Sequence, residues 1–112
     1  MHAFYGKKMI GNCEVRKCKV DTEKHVGELG ILLVKYYRGM GLGKFMMRYM
    51  IKEAHQKLKL EIITLKVYSK NKPAIRLYRK LGFKVAGKIP KGIKYYGKYM
   101  DDIIMFKHLK NK

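Results

Sequence analysis

Along the chain, the spacing of apolar and polar positions changes rhythm from two-residue steps to three- and four-residue steps and back. His2–Tyr5, a Gly6-Lys7-Lys8 turn and Met9–Val20 read as two strands of a hairpin or meander. After a polar break at Asp21–Lys24, His25–Val34 ends in Leu29-Gly30-Ile31-Leu32-Leu33-Val34, an almost unbroken apolar run that predicts a strand buried on both faces. Leu42, Phe45, Met46, Tyr49, Met50 and Ala54 then recur at helical spacing, giving a helix to about Leu58. Glu53 and Lys57 add an i,i+4 pair, and the methionines read as core filler. Glu61–Tyr68 is β-branched and strand-like. Asn71-Lys72-Pro73-Ala74 opens a second helix, with Asn71 near its cap and Pro73 in its first turn, and Gly82 stops it after Leu81. Phe83–Ile89 and Tyr99–Lys107 read as closing strands, joined by a Gly- and Tyr-rich connection, Pro90–Lys98.

The order is therefore β-β-β-α-β-α-β-β, an α/β chain of the α+β kind. Its mixed sheet should pair in parallel where strands and helices alternate and antiparallel at the hairpin ends. Residues 1–112 suit a single domain, with no repeat or linker.

Charge changes the picture more than length does. The 27 Lys and Arg against 8 Asp and Glu leave a formal net charge of +19. Such a surface attracts polyanions, nucleic acid or a phosphorylated cofactor among them, and repels polycations, so a polyamine is a poor expected substrate. A coat of lysine over every solvated face accounts for the same number and names no partner. No apolar run approaches the roughly 18–20 residues of a membrane span, and the start lacks a leader's apolar stretch, so a soluble domain is expected. Cys13 and Cys18 are an odd distance apart in a strand-like segment, which points them to opposite faces. His2, His25, His55 and His108 are scattered. A reduced, cytoplasmic protein without a structural metal is expected.

The sharpest chemical signal is Arg38-Gly39-Met40-Gly41-Leu42-Gly43-Lys44, placed between an apolar strand and a helix. Helix-terminal amides and glycines that permit close approach make such a turn an anion site in principle. It is not a P-loop, because Phe45 follows Lys44 where Ser or Thr is needed, and its glycines are spaced GxGxG rather than GxGxxG. The segment Asn71-Lys72-Pro73-Ala74-Ile75-Arg76-Leu77-Tyr78-Arg79-Lys80-Leu81-Gly82-Phe83 carries a second signal. Read alone, Asn71 could be only a cap, and Tyr78 could be plain core with Leu77 and Leu81.

Together the two segments resemble the GCN5-related N-acetyltransferases: R/Q-x-x-G-x-G/A at the first, N-x-x-A-x-x-L-Y-x-x-L-G-F at every fixed position of the second. The strand Glu28–Leu33 and the run Asp102-Ile103-Ile104-Met105 also look like that family's flanking strands. The resemblance runs from about Tyr5 to Leu109. It implies an acetyl-CoA-dependent N-acetyltransferase, in which an acceptor amine attacks the thioester directly. Amides from Arg38, Gly39, Met40, Gly41, Leu42, Gly43 and Lys44 would hold the pyrophosphate. Backbone groups of Leu32, Leu33 and Val34 would pair with pantetheine, and an amide near Leu33 would steady the oxyanion. Asn71 would contact the pantetheine arm, and Tyr78 would protonate the leaving thiolate.

The chain departs from the family at two points. Relatives acting on ribosomal-protein alanine carry a glutamate five residues before the signature asparagine, and Lys66 stands there here. Glu28 is the substitute base, although a simple ion pair with a neighbouring lysine explains it as well. A weak base favours an α-amine, with a pKa of about 7.7–8.0, over a lysine amine near 10.4. The family's first strand and two helices also have no counterpart before Tyr5. That predicts an open acceptor groove, or a partner that covers it, with a homodimer favoured. A second reading keeps the fold but loses catalysis, and uses the basic surface to bind nucleic acid or the ribosome.

Overall fold

Alternation along the strands sorts the chain into one buried and one open sheet face. The computed structural model describes residues 2–5, 8–33 and 41–109. It contains β1 (His2–Tyr5), β2 (Lys8–Lys17), a 3-10 turn (Asp21–Glu23), β3 (Val26–Leu33), α1 (Leu42–Gln56), β4 (Ile62–Tyr68), α2 (Lys72–Lys80), β5 (Lys84–Tyr95) and β6 (Lys98–His108). The strands form one sheet in the order β1-β2-β3-β4-β6-β5. Only β3 and β4 pair in parallel; every other neighbouring pair is antiparallel. This is the mixed sheet that the sequence pattern predicts.

Leu29, Ile63, Leu65, Val67 and Met105 point to one side and join Met46, Met47 and Ala54 of α1 and Tyr78 and Leu81 of α2 in a single core. Both helices therefore cover the same face. Arg16, Glu28, Thr64, Lys66, Ile104 and Phe106 share the other face by register, and no helix lies over it among the described residues.

Three expectations need correction. The buried stripe of α1 is turned by about one residue: Met46, Met47 and Ala54 are buried with Met50 and Ile51 beside them, whereas Phe45 and Tyr49 stand exposed. This helix is apolar on two sides, so periodicity alone did not fix which side meets the sheet. In β3, Leu29 is buried but Gly30 is exposed, so the described part of the strand is covered on one face only. Finally, Pro90–Lys98 is not a loose connection. β5 runs to Tyr95 through a bulge between Ile89 and Ile93, and Tyr96-Gly97 alone makes the turn, with φ 50° and 76°. Positive φ at both central residues is what a two-residue hairpin turn of the right twist requires.

Two local predictions hold atom by atom. Lys57 Nζ lies 3.1 Å from Glu53 Oε1, and the hydrogen bond that the ammonium donates to this carboxylate, together with the carboxylate's charge, raises the lysine above its ordinary pKa. At the end of α2, Phe83 N donates to the Tyr78 carbonyl and Gly82 N to the Arg79 carbonyl, with Gly82 at φ 97°. Phe83 packs edge-on against Tyr78, with ring centroids 6.2 Å apart. These are the two hydrogen bonds and the apolar contact of a Schellman stop. The Leu-Gly-Phe end of the sequence segment is thus a helix terminator in physical terms.

Candidate active site

The site forms where the sheet comes apart. β3 is paired to β2 as far as Leu33, and β4 is paired to β6 along its whole length. Between β3 and β4, however, pairing covers only Val26–Glu28 against Ile62–Thr64. Beyond that point the two halves of the sheet diverge. The edge of β3 from Gly30 to Leu33 and the edge of β4 from Lys66 to Tyr68 then have no ladder partner among the described residues. Unpaired strand edges are templates for another extended amide chain. At the last paired rung, Thr64 Oγ1 donates to the Gly27 carbonyl at 3.5 Å and ties the strands together just below the split.

In the chain, α1 is the element that follows β3. Gly41 is its N-cap at φ 79°, and its carbonyl accepts the first helical bond, from Phe45 N at 3.1 Å. No side chain caps this end, and the first turn holds no acidic residue. The amides of Leu42, Gly43 and Lys44 thus lead a helix whose positive end has no built-in carboxylate. An added Cβ at Gly41 would meet nothing within 4 Å among the described residues. Val34, Arg38, Gly39 and Met40, also expected in this loop, lie outside the described residues. A diphosphate on the helix end and a pantetheine amide chain in the split are what these features fit.

The second helix brings the remaining candidates in. Asn71 caps α2, its Oδ1 accepting from Ala74 N at 3.3 Å. The cap role is therefore real, and the side-chain NH2 remains available as a donor. Tyr78, two turns on, is buried in the core with Leu29 and Leu65. Glu28 occupies the last rung before the split, across from Thr64 on one side and Arg16 on the other. It is half-buried, and no lysine pairs with it among the described residues. Tyr78 thus lies on the helix-covered face of the sheet, and Glu28 on the open face at the last rung before the split. Lys66 stands exposed on the open face, two residues beyond Thr64.

Two features escaped the sequence reading. Thr64 left no signal, because a threonine in a β-branched run is ordinary strand. Asp102 appeared only as part of an apolar strand, yet it is 6% exposed and its Oδ1 has no hydrogen-bond partner. The bulge of β5 folds over it so closely that a Cβ on Gly92 would come within 2.9 Å of the Asp102 Cβ. Among the described residues no group of three His, Cys, Asp or Glu could hold a metal, and no helix is long and apolar enough to cross a membrane.

A mixed sheet split between β3 and β4, and an uncapped glycine-led helix that follows β3 in the chain, describe the class of fold, and comparison with known proteins places it. Residues 1–83 match the model of the acetyltransferase (GNAT) family, and the chain belongs to that family. An L-amino acid N-acetyltransferase of Escherichia coli, AaaT, is 29% identical over 97 residues, 87% of this chain and 60% of its own length. A GNAT-family acetyltransferase of Streptococcus pneumoniae superposes with a TM-score of 0.88 at 29% identity, over 95% of this chain and 64% of that one. The yncA protein of Salmonella typhimurium, solved with its cofactor acetyl-CoA, shares the fold at a TM-score of 0.87 and 22% identity, over 97% and 63% of the two chains. This chain spans about 60% of the length of the curated relative.

Proposed function

We propose that the protein transfers an acetyl group from acetyl-CoA to the α-amine of a small amino acid-like acceptor. The split between β3 and β4, in a sheet whose third strand is followed in the chain by a helix with an uncapped, glycine-led start, is the observation that carries this reading. The α1 amides of Leu42, Gly43 and Lys44 bind the pyrophosphate, and the β3 edge at Leu32 and Leu33 orients the pantetheine arm. Asn71 donates to that arm from the start of α2. When bound, acetyl-CoA supplies an activated acyl carbon in the split. The acceptor reaches it from the open face, where Glu28 takes up the amine proton, directly or through water. From the helix face, Tyr78 gives a proton to the departing sulfur. Acid and base on opposite sides of the sheet suit a direct attack, because the amine enters and the thiolate leaves on opposite sides.

Lys66 and Arg16 favour an acceptor that carries a carboxylate beside its amine. Both stand on the open face near Glu28, so a zwitterion finds a partner for each end. The E. coli relative's substrate class supports this choice. A polyamine would meet Lys66, Arg16 and the overall +19 charge, which outweigh the carboxylate of Glu28. We also infer that a second copy of the chain packs on the open face over Ile104 and Phe106 and walls the acceptor groove at Glu28 rather than filling it.

Isothermal titration with acetyl-CoA, followed by turnover on a panel of L-amino acids and spermidine, tests the reading. Binding that Gly41→Asp abolishes, with turnover on amino acids only, is the expected result. Tyr78→Phe should slow transfer at least tenfold while changing acetyl-CoA affinity less than threefold. A protein that does not bind acetyl-CoA removes the proposal, and turnover on spermidine alone removes the acceptor assignment.

A further inference from the structure

We infer that the outer side of α2 and the β5–β6 hairpin form a track for single-stranded nucleic acid. This inference stands apart from the acetyltransferase reading and uses none of its residues. α2 has two working sides. One buries Tyr78 and Leu81; the other aligns Lys72, Arg76 and Arg79 at steps of four and three along the rim of a cleft of about 290 Å³. Ile75, Val85 and Ile103 give this cleft an apolar floor. The three cations have no carboxylate within 4.0 Å among the described residues, where the only ion pairs engage Lys24, Lys57 and Lys88. A row of like charges held on one helix side without counterions raises the local attraction for an anion.

The row continues onto the hairpin. Residues 84–101 hold five lysines against one carboxylate, Asp101, which lies between Tyr99 and Ile103 on their side of β6 and is paired by Lys88 at 3.5 Å, leaving the hairpin net cationic. Alternation along β6 puts Tyr99 on the same side as Ile103, and Tyr99 is paired with Lys94, whose Nζ lies 5.4 Å from its ring centroid. Tyr96 at the turn is 88% exposed and Tyr99 56% exposed, which is unusual for rings of this size. From Ile103 to Tyr99 is ~14 Å of strand and from Lys72 to Arg79 ~10 Å of helix.

The chemistry selects this occupant over others. A single strand offers both what the cations need, a phosphate row, and what the exposed tyrosines need, unstacked base faces. A duplex keeps its base faces inside, and an acidic peptide has none to offer. An anionic membrane would require a single apolar side, but Tyr95 pairs with Lys98 on one side of the hairpin and Tyr99 with Lys94 on the other. A second copy would set five lysines against five.

Fluorescence anisotropy with a labelled 12-nucleotide oligouridine tests the track, with the full chain titrated between 50 and 200 mM salt. Four cations on the strand (Lys72, Arg76, Arg79 and Lys94) predict a log–log salt slope of about −3. The pair Arg76→Gln and Arg79→Gln should flatten that slope by about 1.4. The pair Tyr96→Ala and Tyr99→Ala should weaken binding at least tenfold and leave the slope unchanged. Arg48→Gln with Lys52→Gln removes the same charge from exposed positions of α1, and should weaken binding less than twofold. All these side chains are exposed, so circular dichroism melting should show the wild-type transition throughout. Absence of binding at 50 mM salt overturns the inference. So does equal loss in the α1 control, indifference to the tyrosines, equal affinity for a duplex of the same length, or capture by phosphatidylglycerol vesicles in place of RNA.

Discussion

Gly82 shows how one residue type can be dictated by backbone geometry. At φ 97° it lies where a side chain costs about 1–2 kcal/mol, and an added Cβ would also press on the tip of Lys107. Gly82→Ala should lower stability by about that amount, read as a shift of the urea midpoint with an unchanged m-value. An unshifted midpoint would mean that α2 ends in some other way. This residue was legible beforehand, because a glycine after an amphipathic run is a local signal. Gly27 was not: a Cβ there would fall 2.5 Å from Leu60 Cδ1, a contact made by residues 33 positions apart. The same holds for Glu28 and Tyr78. Their types could be read from the chain, but their placement on opposite faces of one sheet could not.

Among the elements, α2 was the best predicted and α1 the least. α2 carries its own punctuation: Asn71 at the cap, Pro73 in the first turn, and Gly82 at the stop. Asn71→Ala should cost about 1 kcal/mol in thermal or urea unfolding, because the Ala74 amide loses its acceptor. A loss well under 0.5 kcal/mol would show that the cap hydrogen bond contributes little. The same variant should weaken acetyl-CoA binding if the side-chain NH2 reaches pantetheine. α1 has apolar residues on two sides, and the sheet selected the side with Met46, Met47 and Ala54 while leaving Phe45 and Tyr49 outside. The closing hairpin failed for a related reason. Glycines and tyrosines in Pro90–Lys98 read as loop composition, yet the whole segment apart from Tyr96 and Gly97 is strand, with a bulge absorbing the extra residues.

At the scale of the molecule, the sheet has one face packed by two helices and one face open. The open face carries half-buried Ile104 and Phe106 and charges of both signs, making it the place where two chains of net charge +19 can approach. Sedimentation equilibrium should give twice the 13.2 kDa chain mass at micromolar concentration, and Ile104→Asp should return the mass to that of one chain. A single-chain mass for the unaltered protein would exclude this packing. The sequence by itself determined the element order, the glycine turn, the caps and the family resemblance, since each rests on residues close together in the chain. Only the tertiary structure decided where β3 parts from β4, which side of α1 is buried, that Asp102 is shut beneath a bulge, and that α2 and the closing hairpin share one cationic side. Those outcomes depend on contacts between distant segments, and burial against a partner strand or helix is a property that no local pattern carries.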